Sequence, residues 1–241
     1  MRATLGITAA LGLLAALGEP ASAQDDGDIA AWSAMMLTPY GALPPLVTPL
    51  MFATVDGDDQ GGGFEARYGR WSFDEGEDEA WNIFGAGGRA GPFGFGFGYG
   101  KCGDCTDGVF MANVEFESDL VRSAIGASEA ASTLVIGLRP SLGFAKPGGD
   151  SRGNAFTAAV DVPFTYNAPA GGGSRLALFI APGYGFGRIS EQGESDSGTR
   201  ASLAAGVGLR TSRGPALHVA WRRILIDEGP SLFGVGVSFG S

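Results

Sequence analysis

Few side chains in this 241-residue sequence are spaced for chemistry, and the nearest to a motif is Cys102-Gly-Asp-Cys105. In a cytosolic βαβ setting a C-x-x-C pair suggests thiol–disulfide exchange. In an exported chain, Cys102 and Cys105 are expected to form a loop staple instead. Zinc would need two more ligands, but the only other candidate is the lone histidine, His218, which lies far from the pair in sequence. The acidic runs Asp56-Gly-Asp58-Asp59, Asp74 to Glu79 and Glu191 to Asp196 carry oxygens suited to Ca²⁺, yet none has EF-hand spacing. They are expected to be solvated loops, with no more than weak divalent-cation bridging. His218, Arg222, Arg139 and Asp161 share rows that oppose apolar residues, and they predict an internal polar network. No catalytic residue, cofactor site or metal site is expected.

The elements that hold these residues follow from export and from composition. Arg2, the apolar run Leu5 to Leu17, Pro20 and Ala21-Ser22-Ala23 before Gln24 have the layout of a signal peptide over residues 1–23, with cleavage between Ala23 and Gln24. The run is shorter than the roughly 20 residues that a membrane-spanning helix needs. A formal net charge of −10 leaves no electrostatic footprint for nucleic acid. The chain holds 42 glycines, each costing about 1 kcal/mol in a helix interior, which argues for strands. No later apolar run is long enough to cross a membrane as a helix.

From Phe64 onward the sequence resolves into about ten alternating segments, near 64–73, 81–90, 92–101, 109–117, 133–144, 154–164, 175–187, 200–211, 215–224 and 231–240. In Phe93-Gly-Phe95-Gly-Phe97-Gly-Tyr99-Gly100 one face is aromatic and the other is glycine. Leu134, Ile136, Leu138, Leu142 and Phe144 likewise oppose Gly137, Arg139, Ser141 and Gly143. Such alternation means half-buried strands. The second face is too poor in Lys, Glu and Thr for a solvent surface, but suits a barrel interior whose scattered charges pair.

The fold class predicted is all-β: an up-and-down antiparallel transmembrane β-barrel over residues 61–241 with about ten strands, eight to twelve being compatible with the pattern. Polar connections at 74–80, 102–108, 145–153, 188–199 and 225–230 fall on one side, the outer one. Tight turns near Gly91-Pro92 and from Thr211 to Pro215 fall on the other. The stretch 118–132 is long for an inner turn and has room for a short helix.

Residues 24–60 precede the barrel and admit three readings: a plug entering the lumen, a short helix from Asp28 to Leu37, or an extra strand from Leu50 to Val55. The inward glycines, among them Gly94, Gly96, Gly98, Gly100, Gly206 and Gly236, mark close approach of other groups. Those groups are either side chains of other strands or the plug.

The signal peptide, the alternation from Phe64 to Phe239 and the final Val235-Gly-Val237-Ser-Phe239 together resemble the small outer-membrane β-barrel proteins of Gram-negative bacteria, the OmpA-like and OmpW-like barrels. The resemblance implies residence in the outer membrane among its lipids and insertion by the barrel-assembly machinery. It implies no particular activity. The lipid A deacylase barrels are similar in size and use a His with a Ser two residues on, whereas His218 is followed by Val219 and Ala220. The expected function is therefore non-enzymatic, either structural or passage of a small solute through a narrow interior. Two competing expectations are a barrel enzyme acting on lipid or peptide at the outer rim, and a secreted soluble β-barrel that binds a small apolar ligand.

Overall fold

The computed structural model describes residues 62–73, 76–102, 107–126, 132–148, 153–191, 194–212, 215–225 and 231–240. The predicted cleavage site at Ala23 and Gln24, the segment 24–60 with Asp56 to Asp59, and Cys105 lie outside the described residues. What is described is an antiparallel sheet of β1 (Gly63–Phe73), β2 (Gly76–Ala90), β3 (Phe93–Cys102), β4 (Val109–Phe116), β5 (Ser118–Ile125), β6 (Ser132–Pro147), β7 (Asn154–Asp161), β8 (Phe164–Gly171), β9 (Ser174–Glu191), β10 (Glu194–Arg210), β11 (Ala216–Ile224) and β12 (Ser231–Gly240).

Pairing of β1 with β12 closes the sheet into a barrel. These strands make ten staves, because β4 and β5 lie end to end along β6, and β7 and β8 lie end to end between β6 and β9.

Each broken stave has a local cause. Pro163 has no N–H for the ladder, and the wall holds there because Val162 N–H donates to Pro182 O and Gly137 N–H to Pro163 O, both at 2.9 Å. Between β4 and β5, Glu117 N–H turns to Pro92 O at 2.9 Å.

The stretch 118–132, expected to be a turn with room for a helix, is instead strand as far as Ile125. Its pairing with β6 slips between Asp119 and Val121. Such an extra residue breaks a period-2 pattern. The acidic runs 74–79 and 191–196 likewise belong largely to strand ends, since β2 begins at Gly76, β9 reaches Glu191 and β10 begins at Glu194. Above the apolar belt neither face needs an apolar residue, so those ends leave no hydrophobic signature.

The two chain ends meet where Gly63 pairs with Gly240, which defines a termini end and, opposite it, a loop end. At the termini end, Gly91 (φ 58°) and the run Gly171, Gly172 and Gly173 (φ 83°, 56° and 76°) supply the left-handed backbone of tight hairpins.

The faces are the reverse of those of a soluble protein. Phe93 and Phe97 stand outward, 62% and 60% exposed, with Phe95 and Tyr99 on the same row. Phe64, Phe110, Leu142, Leu178, Leu217 and Phe233 continue that apolar exterior around the wall. Buried within are Glu65, Arg67, Arg89, Glu115, Glu117, Arg139, Asp161, His218 and Arg222. A soluble barrel with an apolar interior fails on this point, because apolar rows outside and charges inside suit hydrocarbon rather than water. Aromatic pairs mark both rims: Tyr99 with Phe110 (centroids 5.1 Å apart) toward the loop end, and Phe93 with Phe116 (5.3 Å) toward the termini end.

Candidate functional site in the barrel lumen

The lumen is built by laying a long side chain from one strand across a glycine of the next. Arg89 on β2 is paired with Gly94 on β3, and Gly94 with Glu115 on β4. The Arg89 side chain passes over that glycine to reach Glu115. His218 on β11 is paired with Gly236 on β12, and Gly236 with Arg67 on β1. A Cβ at Gly236 would overlap the His218 ring, one at Gly94 would press on Glu115, and one at Gly96 would collide with Asn113 and Arg67. Phe179 covers Gly206 in the same way. Side chains of nearby strands therefore account for Gly94, Gly96, Gly206 and Gly236 on the glycine face. The weakening that glycine brings to a strand is offset by the group lying on it.

Three layers follow from this arrangement. At the loop end Trp71, Ile83, Val109, Met111, Ile224 and Leu232 form a packed apolar layer, with Trp81 against it. In the middle Asp161 is the hub: its Oδ2 accepts from Arg139 at 2.6 Å and from Arg222 at 3.1 Å, with side-chain exposures of 1%, 4% and 1%. Arg139 sits directly opposite Asp161 on the neighbouring strand, whereas Arg222 reaches it from β11, three strands round the wall. A second group, toward the termini end of β2, β3 and β4, joins Arg89 to Glu115 at 2.5 Å and to Glu117 at 3.0 Å. Toward the termini end lie Asn167, which accepts from Arg175 Nε at 3.0 Å, and Asp119, which pairs with Arg122 at 3.2 Å.

Of the four residues expected to form one network, Arg139, Asp161 and Arg222 meet on a single carboxylate. His218 does not join them. It is buried in another group, with its Nε2 3.5 Å from Glu65 Oε1 and Arg67 Nε 3.4 Å from the same oxygen. Arg89 and Glu65 were absent from the expected network. Arg89 was legible, since reflecting the alternation through the Gly91-Pro92 turn sets it opposite Gly94. Glu65 was not, because its neighbours come from β12 and β11 at the far end of the chain. Cys102 closes β3, and no free cysteine occurs among the described residues. Among those residues no three metal-ligating side chains come together.

No family model matches the sequence, and no curated protein is similar to it. Among solved structures, the chain is similar to the outer membrane enzyme PagL, at 14% identity over 73% of this chain and 98% of that one, with a TM-score of 0.38. It is also similar to the N-terminal β-barrel domain of Pseudomonas aeruginosa OprF (13% identity, 76% and 100% covered, TM-score 0.34) and to the β domain of the Bordetella autotransporter BrkA (10%, 75% and 99%, TM-score 0.39).

Proposed function

We propose that this chain is an outer-membrane barrel with a filled lumen that serves envelope structure, without enzymatic activity and without a continuous aqueous path. The observation that carries this reading is the stack of layers across the lumen: the apolar set around Trp71 and Leu232 at the loop end, then the Arg139–Asp161–Arg222 and Arg89–Glu115–Glu117 groups beneath it. A small barrel of about ten strands has an interior that side chains can fill, and here long guanidinium arms span it. The non-enzymatic part is supported by His218, whose side chain is turned inward and enclosed against Gly236 rather than presented at a rim. Outer-membrane lipids and the barrel-assembly machinery are the partners this reading requires. The Cys102–Cys105 staple would tie the hairpin between β3 and β4 at the loop end.

Conductance tests the reading. The purified full-length chain, refolded and added to planar bilayers, is expected to give no channel steps. Trp71→Ala with Leu232→Ala, which thins the apolar layer, is expected to produce them. Steady conductance from the unaltered chain would overturn the filled lumen in favour of narrow solute passage. Hydrolysis of a lipid or peptide, abolished by His218→Ala, would overturn the non-enzymatic part.

A further inference from the structure

The charges on the outward rows are one-sided. Arg70, Lys101, Lys146, Arg188 and Arg223 point away from the lumen, since each is paired across the sheet with an outward residue: Phe233, Asn82, Phe110, Phe156 and Ser231. All five are cationic, and all five lie within a few residues of the loop end of their strands. Among the described strand residues with described side chains, no acidic side chain shares those outward rows, although the whole chain is formally −10. A long basic side chain at that depth lays its stem along apolar surface and lifts its charge to the headgroups.

On one side of the barrel a cavity lies below this collar, with the outward Phe144 of β6 and Phe156 of β7 between the two. A groove of about 550 Å³ opens on the exterior, lined by Val114, Leu142, Ala158, Val160, Tyr184 and Phe186 among others. It exists because Ala158 is short where its neighbours across the sheet, Leu142 and Phe186, are long. Leu142 lies four residues below Lys146 on β6, and Phe186 two residues below Arg188 on β9. With β7 alone between these strands and a two-residue offset along them, Lys146 and Arg188 stand about 12 Å apart on the sheet. Both are exposed. Arg188 gives one N–H to Ser195 Oγ at 3.0 Å, and a guanidinium has further donors for a phosphate.

We propose that this face is a binding site for a phosphate-bearing lipid of the leaflet at the loop end, with phosphate oxygens on Lys146 and Arg188 and an acyl chain in the groove over Ala158. The site rests on the reading that the exterior faces a bilayer. Charge complementarity selects the headgroup, and the groove selects a lipid over a free anion.

The test uses the full chain in a neutral detergent, followed by native mass spectrometry with three probes: lipid A, dephosphorylated lipid A and inorganic phosphate. Lipid A is expected to bind as a retained adduct, dephosphorylated lipid A more weakly, and inorganic phosphate not at all. Lys146→Gln with Arg188→Gln is expected to weaken lipid A binding about tenfold or more. Ala158→Trp, which fills the groove, should weaken it with the basic pair intact. Arg70→Gln with Arg223→Gln removes the same charge from the other side of the barrel and is expected to leave binding unchanged. Equal weakening by both double variants would overturn the site, as would equal binding of lipid A and its dephosphorylated form, or retention of inorganic phosphate alone. If the chain leaves membranes in detergent-free buffer, the bilayer reading itself fails. Retention in membranes with unchanged lipid A binding by the Lys146 and Arg188 variant sinks only the lipid site.

Discussion

Asp161→Asn tests the lumen network most directly, because one carboxylate there faces two guanidinium groups. The substitution keeps the shape and one acceptor oxygen but removes the acid that pairs with both Arg139 and Arg222. All three side chains are at most 4% exposed, so water cannot take over. Breaking a buried pair by removing one partner costs about 3–5 kcal/mol, far above the 0–1 kcal/mol or so typical of exposed pairs. With a urea dependence of about 2 kcal/mol per molar, the unfolding midpoint should fall by roughly 2 M at constant slope. The assay is urea unfolding of the barrel in lipid vesicles, followed by tryptophan fluorescence. A second variant separates charge from packing: Arg139→Met, Asp161→Leu and Arg222→Met together replace the triad with apolar side chains, and should recover most of the loss. A drop of less than about 1 kcal/mol for Asp161→Asn would refute the buried-hub account. So would a triple variant no more stable than the single one, since the cost would then lie in shape rather than in unpaired charge.

Three further outcomes follow from the same geometry. Gly236→Ala should destabilise the barrel by about 1–3 kcal/mol through overpacking against the imidazole, and His218→Ala in the same chain should remove much of that cost. Additive losses in the double-mutant cycle would show that the ring does not rest on the glycine. Arg89→Gln removes the cation that pairs with both Glu115 and Glu117 and should cost about 3–5 kcal/mol, measured by the same unfolding series. Phe97→Arg, at mid-height on the outward row of β3, should cost about 2–4 kcal/mol in a bilayer, while Phe93→Arg at the rim should cost about 0–1 kcal/mol. Equal costs at both positions would contradict the placement of the apolar belt.

How much of this was legible in the sequence depended on what each residue had to satisfy. Wherever a strand crosses the apolar belt, every second residue must be apolar, and the ten staves show through the alternation for that reason. The polar ends of β2, β9 and β10 answer to no such demand, and the bulge beside Asp119 hides β5 by shifting the phase. Inside the lumen the limit was distance along the chain. Asp161 and Arg139 are opposed across a hairpin, so their pairing is local. Arg222 joins them only because the barrel closes, and closure is encoded by the pairing of β1 with β12 rather than by any nearby residue. Glu65 and His218 meet for the same reason and were missed.

Closure also explains why glycine and charge go together here. In an ordinary sheet, side chains on one face stand roughly perpendicular to it and contact their immediate cross-strand neighbours. On the concave face of a narrow barrel they converge, and a long side chain finds room only by lying flat across the adjacent strand. That strand must then present a bare backbone. Arg89 over Gly94 to Glu115, and His218 over Gly236 toward Arg67, repeat this plan on adjoining runs of the wall. Two further strand glycines, Gly96 and Gly206, lie under Asn113 with Arg67 and under Phe179. Replacing such a glycine therefore does more than stiffen a strand. It lifts the overlying side chain off the wall and away from its partner, so the stability cost should track the group above the glycine rather than the backbone beneath it.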